Sequence, residues 1–151
     1  MASNERRITG DVAEKGQAMA FFRPSVSREA EVRHHADQEV GKSFAELVEK
    51  AREAEGRLRR AQQERAGAEE LRSAGLAFDR ALTDALRAAE AAQRATFGVK
   101  AYDDRIRRRK GRATPDGAKW TQEVDRLRTL REANRLTGIA RVPRPLAAPA
   151  R

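Results

Sequence analysis

Apolar side chains recur along the middle of the chain in alternating steps of three and four. Phe44, Leu47, Ala51, Ala54, Leu58 and Ala61 form one series, and Phe78, Leu82, Ala85, Ala89 and Ala92 form a second. This spacing puts side chains on one face of an α-helix and, sustained over several turns, marks a coiled-coil seam. No Pro or Asn occurs between Ser25 and Phe97. The pattern therefore predicts an all-α protein built on one long, alanine-rich, coiled-coil-like helical region over residues 27–97. Run straight, such an element would extend about 100 Å at a rise of about 1.5 Å per residue.

The two series are out of phase. Continuing the first places Arg65 and Arg72 on the seam, so a stammer, a bend or a turn must reset the register between Ala61 and Gly75. Turn chemistry in that interval is poor: Gly67 and Gly75 stand without Pro, Asn or Asp. Arg72 followed by Gly75 could form a C-terminal cap, but the next helix would lack a good N-cap. The sequence thus favours a continuous, bent helix. A helical hairpin is the alternative, because alanines on a seam let two antiparallel helices approach closely.

Ser25 or Ser27 is placed to cap this region, with Glu29 and Glu31 in the first turn, where the helix dipole favours negative charge. Acid precedes base by four residues at Glu29 and Arg33, Glu46 and Lys50, Glu53 and Arg57, Glu55 and Arg59, and Glu90 and Arg94. Such pairs contribute a few tenths of a kcal/mol each and cannot hide Phe44, Leu47, Leu58, Phe78 and Leu82 from water. The stripe needs a second helix. The expectation is one from another chain, as a homo-oligomer or with a helical protein partner, which makes these five residues candidate partner contacts.

Residues 1–26 read as a separate segment. Ile8, Val12, Met19 and Phe22 could share one face of a short helix, which Pro24 ends by disfavouring helical geometry at Arg23. Phe21 and Phe22 are either a plug onto another helix or a docking point for a partner. Beyond Phe97, Gly98 ends the long helix and residues 98–114 form a basic connector, in which Tyr102, Asp103 and Asp104 could begin a short helix. Thr114 as cap and Pro115 in the first turn then open a shorter helix over 115–137, striped by Trp120, Val124, Leu127 and Leu130. Gly138 is a stop, and 138–151, with Pro143, Pro145 and Pro149, reads as a disordered basic tail.

Charge changes the picture more than composition does. The chain carries a net charge of +9 over 151 residues. Residues 1–97 hold 17 Lys and Arg against 17 Asp and Glu, while residues 98–151 hold 15 against 6. All the excess thus lies in the last third, and a neutral helical body joined to a basic end suggests that assembly and attraction to an anion are handled separately. The densest run is 105–112, where Arg105, Arg107, Arg108, Arg109, Lys110 and Arg112 fill six of eight positions. Arg and Lys neutralise phosphates and release condensed counterions, the requirement for sequence-independent contact with nucleic acid. The plainer reading of the run is a solvated linker.

Other chemistry is poorly represented. Aromatic residues make up 5% of the chain and charged residues 36%, which leaves few large side chains to fill a globular core. Absence of Cys removes disulfides, thiolate metal sites and cysteine nucleophiles. His34 and His35 are adjacent and point to different sides of a helix, the wrong geometry for joint metal binding. Trp120 falls in phase with Val124 and Leu127 and reads as a helix anchor rather than a stacking platform, although it and Tyr102 flank the basic run. Carboxylates alternate with bases along exposed faces, and no glycine loop is built to cradle phosphate. No catalytic group, metal or cofactor is expected. No apolar run follows Arg6 and Arg7 as a secretory signal requires, and none is long enough to span a bilayer, so the expectation is a soluble cytoplasmic protein.

Together these features point to a non-catalytic accessory protein that associates through its long helix and contacts nucleic acid through the basic segment. The competing expectation is a structural or adaptor coiled coil, or a protein inhibitor, whose basic end pairs with an acidic protein surface.

Overall fold

The computed structural model describes residues 26–143, all of them helices and short connections. Five α-helices follow in order: α1 (Arg28–Lys42), α2 (Phe44–Gln63), α3 (Ala68–Thr96), α4 (Arg105–Ala113) and α5 (Pro115–Ala133). A 3-10 turn (Val99–Ala101) joins α3 to α4, and a π-helical turn (Asn134–Gly138) extends α5. No described helix is long and apolar enough to cross a membrane. The short helix expected over Ile8, Val12, Met19 and Phe22, together with Phe21, lies outside the described residues, as do residues 144–151 of the basic tail.

The region expected as one bent helix is three helices. At Ser43 the ladder breaks: its N–H bonds to the carbonyls of Gly41 and Val40, and its hydroxyl donates to Val40 at 2.7 Å. Ser27, as expected, caps α1 by accepting from the Ala30 N–H at 3.1 Å. The larger interruption spans residues 64–67, inside the interval where the register had to change. The Ala66 N–H bonds back to the Ala61 carbonyl at 2.9 Å, and the Arg65 N–H to the Gln62 carbonyl at 3.2 Å. This is the double bond of a Schellman stop. Its left-handed residue is Arg65, at φ 52°, a position that glycine usually fills. Gly67 instead precedes α3 in extended geometry, and Gly75 is buried within α3.

Past the turn, α3 runs back along both preceding helices. The His34 ring nitrogen lies 3.2 Å from the Ala95 carbonyl, Arg94 binds Asp37, and a Cβ at Gly41 would come within 3.1 Å of Ala92. The stripe is therefore covered from within. Leu58, Phe78 and Leu82 are buried in the core with Ala51, Ala54, Ala85, Leu86 and Ala89, and Phe44 and Leu47 pack partly buried against it. Three of the five side chains expected to meet another chain are thus enclosed by the protein's own helices. Helix α5 closes the remaining side with Val124 and Leu127, while Trp120 meets Phe44 edge-on at 5.0 Å between ring centroids. Trp120 is an anchor of the core edge.

Few large side chains suffice because alanine lets the helices approach. Ala85, Ala88 and Ala89 are 0% exposed and Ala91 1%, so α3 is enclosed over a broader arc than a single heptad seam provides. Ion pairs follow the packing. Glu29 with Arg33, Glu46 with Lys50, and Glu55 with Arg59 form as spaced. Glu90 and Arg94 do not pair with each other: Glu90 receives Arg128 of α5 at 2.6 Å, and Arg94 reaches Asp37 of α1 at 2.8 Å. Tertiary contacts thus replace a local pair with two that tie helices together.

Candidate functional site

The basic run is a helix. Asp104 caps α4, its carboxylate accepting from the N–H groups of Ile106 at 2.7 Å and Arg107 at 3.2 Å. A row of like charges opposes helix formation, so α4 needs this cap and a fixed seat on the body. The seat is Gly111, the one buried residue of α4. A Cβ there would come within 2.8 Å of the Phe97 backbone, so only glycine lets α4 lie this close to the end of α3. Thr114 then caps α5, accepting from the Gly117 N–H at 3.1 Å, with Pro115 in the first turn as expected.

Pinning the helix at Gly111 turns every cation outward. Arg105, Arg107, Arg108, Arg109, Lys110 and Arg112 are all exposed, and none forms an ion pair among the described residues. Arg105, Arg108, Arg109 and Arg112 recur at i, i+3, i+4 and i+7 and so share a face, with Arg107 and Lys110 towards the other side. Arg108 alone is oriented by the backbone, its guanidinium donating to the carbonyls of Ala101 at 3.2 Å and Tyr102 at 3.4 Å. Ile106, 66% exposed, lies among the cations.

Next to α4, a polar cluster fastens the ends of α1 and α3 to the connecting turn. Tyr102 donates to the Asp37 carboxylate at 2.6 Å, Arg94 donates two bonds to it at 2.8 Å, and the His34 ring meets Tyr102 edge-on at 5.8 Å. Ser27 adds a 2.6 Å bond from its hydroxyl to Asp103. Partial burial works to raise the Asp37 pKa, but the bonds from Arg94 and Tyr102 outweigh it and hold the carboxyl below its ordinary value. Burial, then the bond to Asp37, pushes the Tyr102 hydroxyl up. Tyr102 is a tie between elements and not a free stacking surface.

Sequence reasoning found the basic run but not its neighbours. Arg33, Arg94 and Arg128 come from α1, α3 and α5 to border the same cleft as Arg108 and Arg112, and nothing in their local spacing signals it. Among the described residues, no group of three or more His, Cys, Asp or Glu side chains is placed to hold a metal ion. No protein-family model, curated protein or solved structure matches the chain.

Proposed function

We propose that this chain is a non-catalytic helical accessory protein that contacts the nucleic-acid backbone through α4. In this reading α2 and α3 form a coiled-coil-like hairpin that carries the basic helix. Association with a second copy or a helical partner uses faces outside the filled seam, such as that of α1, where Val32 and Val40 are exposed.

One observation carries the reading: six cationic side chains on a nine-residue helix are exposed and unpaired by any described carboxylate. Arg94, Arg128 and Arg135 are engaged by acids of other helices, and although single cations unpaired among the described residues, such as Arg57 and Arg60, occur on α2, α4 gathers six on one short helix. Charges left unsatisfied along about 13 Å of rigid helix match a row of phosphates better than they serve the fold.

The test is a binding titration against duplex and single-stranded nucleic acid at about 50 to 200 mM salt. Replacing Arg105, Arg107, Arg109 and Lys110 together by Gln should weaken binding similarly on all sequences. It should also flatten the slope of log affinity against log salt by about 3 to 4. Unchanged affinity and slope would overturn the proposal. The adaptor reading, in which α4 faces an acidic protein, predicts only the weak retention common to any cation.

A further inference from the structure

Where α1, α3, α4 and α5 meet, the surface opens into a cleft of about 440 Å³. Five arginines line it: Arg33 from α1, Arg94 from α3, Arg108 and Arg112 from α4, and Arg128 from α5. The only carboxylate among its lining residues is Glu90, already engaged by Arg128 at 2.6 Å. Arg94 is likewise held by Asp37.

The other three are differently committed. Arg108 is steered by two backbone carbonyls and pairs with no carboxylate among the described residues. The Arg112 side chain has no hydrogen bond or ion pair among the described residues. Among the described residues Arg33 pairs only with Glu29, one turn back on its own helix, and both side chains are largely exposed. Phe97 and Tyr102, both half-buried, form part of the wall, and a wall of lower dielectric than water concentrates the field of the surrounding charges.

Carboxylates offset Arg94, Arg128 and, at an exposed pair, Arg33, but Arg108 and Arg112 add positive charge that no described carboxylate balances, and an anion with many acceptors removes the cost of holding these cations together. Phosphate fits the guanidinium fork in its two-bond geometry, as no chloride does. The volume falls in the range of small-molecule sites, about 300 to 1,000 Å³, and exceeds what one phosphate fills. We infer that this cleft binds a small molecule carrying two or more linked phosphates, either an inorganic polyphosphate or a nucleoside polyphosphate. The inference is separate from the nucleic-acid reading, because three of the five arginines lie outside α4.

Calorimetric titration of the whole chain with inorganic tripolyphosphate, and in parallel with ATP, tests it at near-physiological salt. One saturable site per chain is expected. The double variant Arg33→Gln and Arg112→Gln, shown by circular dichroism to keep its helix content, should bind about tenfold more weakly or worse. Arg107→Gln with Lys110→Gln removes the same net charge away from the cleft and should change affinity by less than about twofold. Tighter binding of ATP than of tripolyphosphate identifies a nucleotide whose base or sugar touches the Phe97 wall, and equal binding identifies phosphates alone. No saturable binding of either probe, or equal weakening by the two double variants, overturns the inference. Failure of nucleic-acid binding by the quadruple α4 variant leaves it standing, since Arg33, Arg94 and Arg128 are untouched there.

Discussion

Arg65 occupies the left-handed position that ends α2, and that geometry costs an L-residue with a Cβ about 1 to 2 kcal/mol. Arg65→Gly should therefore stabilise the protein. Part of the gain is lost to the greater freedom of glycine in the unfolded chain, leaving about 0.5 to 1 kcal/mol, or a few degrees in Tm by thermal melting. An unchanged or lower Tm would show that the strain is relieved elsewhere. Gly75 presents the opposite case. A Cβ there would lie 2.4 Å from the Gly138 carbonyl, and the Asn134 amide donates to the Gly75 carbonyl at 3.0 Å where the π-helical turn crosses α3. Gly75→Ala should cost about 1 to 3 kcal/mol and loosen residues 134–140, seen as faster tryptic cleavage after Arg135.

These two residues also explain what the sequence conveyed and what it concealed. The seam residues were legible because alternating steps of three and four have one helical meaning, and the phase conflict at Arg65 and Arg72 located the break. Its nature was hidden, because a Schellman stop is normally announced by glycine and here the position holds Arg. Gly75, which resembles a helix end in sequence, instead allows another segment to approach. The cleft was illegible for a different reason: residues 33, 94, 108, 112 and 128 become neighbours only through packing.

At the scale of elements, α1 is the least buried of the long helices, with Ala30 its one buried residue. Polar contacts therefore carry much of its attachment, and Asp37 receives most of them. Its carboxyl is held below its unfolded value, so the stabilisation it supplies is complete above about pH 4 and disappears as pH falls through the lowered folded pKa. Hydrogen exchange across that window should show α1 losing protection before α2 and α3. Asp37→Asn should remove this part of the acid dependence and cost about 1 kcal/mol at neutral pH, allowing for the half-exposed Arg94. Loss of protection in all helices together would show that α1 does not open separately. Helix α4 follows a related logic: one cap and one glycine hold a segment that its own charges would otherwise unwind, so its order depends on the body beneath it.

For the whole molecule, every packed layer meets at α3. Leu82, 1% exposed, sits at that junction with Phe78, Leu58 and Leu127. Leu82→Ala should cost about 2 to 5 kcal/mol. Helicity and the fluorescence of Trp120, the single tryptophan, should be lost in one coincident transition. Separate transitions for the two signals would mean that α5 leaves the body independently.

The central place of α3 has a consequence for how the protein comes into being. Helices α1 and α2 leave the ribosome before the strip of alanines that will receive them exists, and in that interval Phe44, Leu47 and Leu58 lack the α3 side chains that cover them in the folded protein. A nascent chain halted near residue 64 is therefore an open, sticky intermediate. Only when α3 has emerged, some thirty residues later, can α1 and α2 take their packed places.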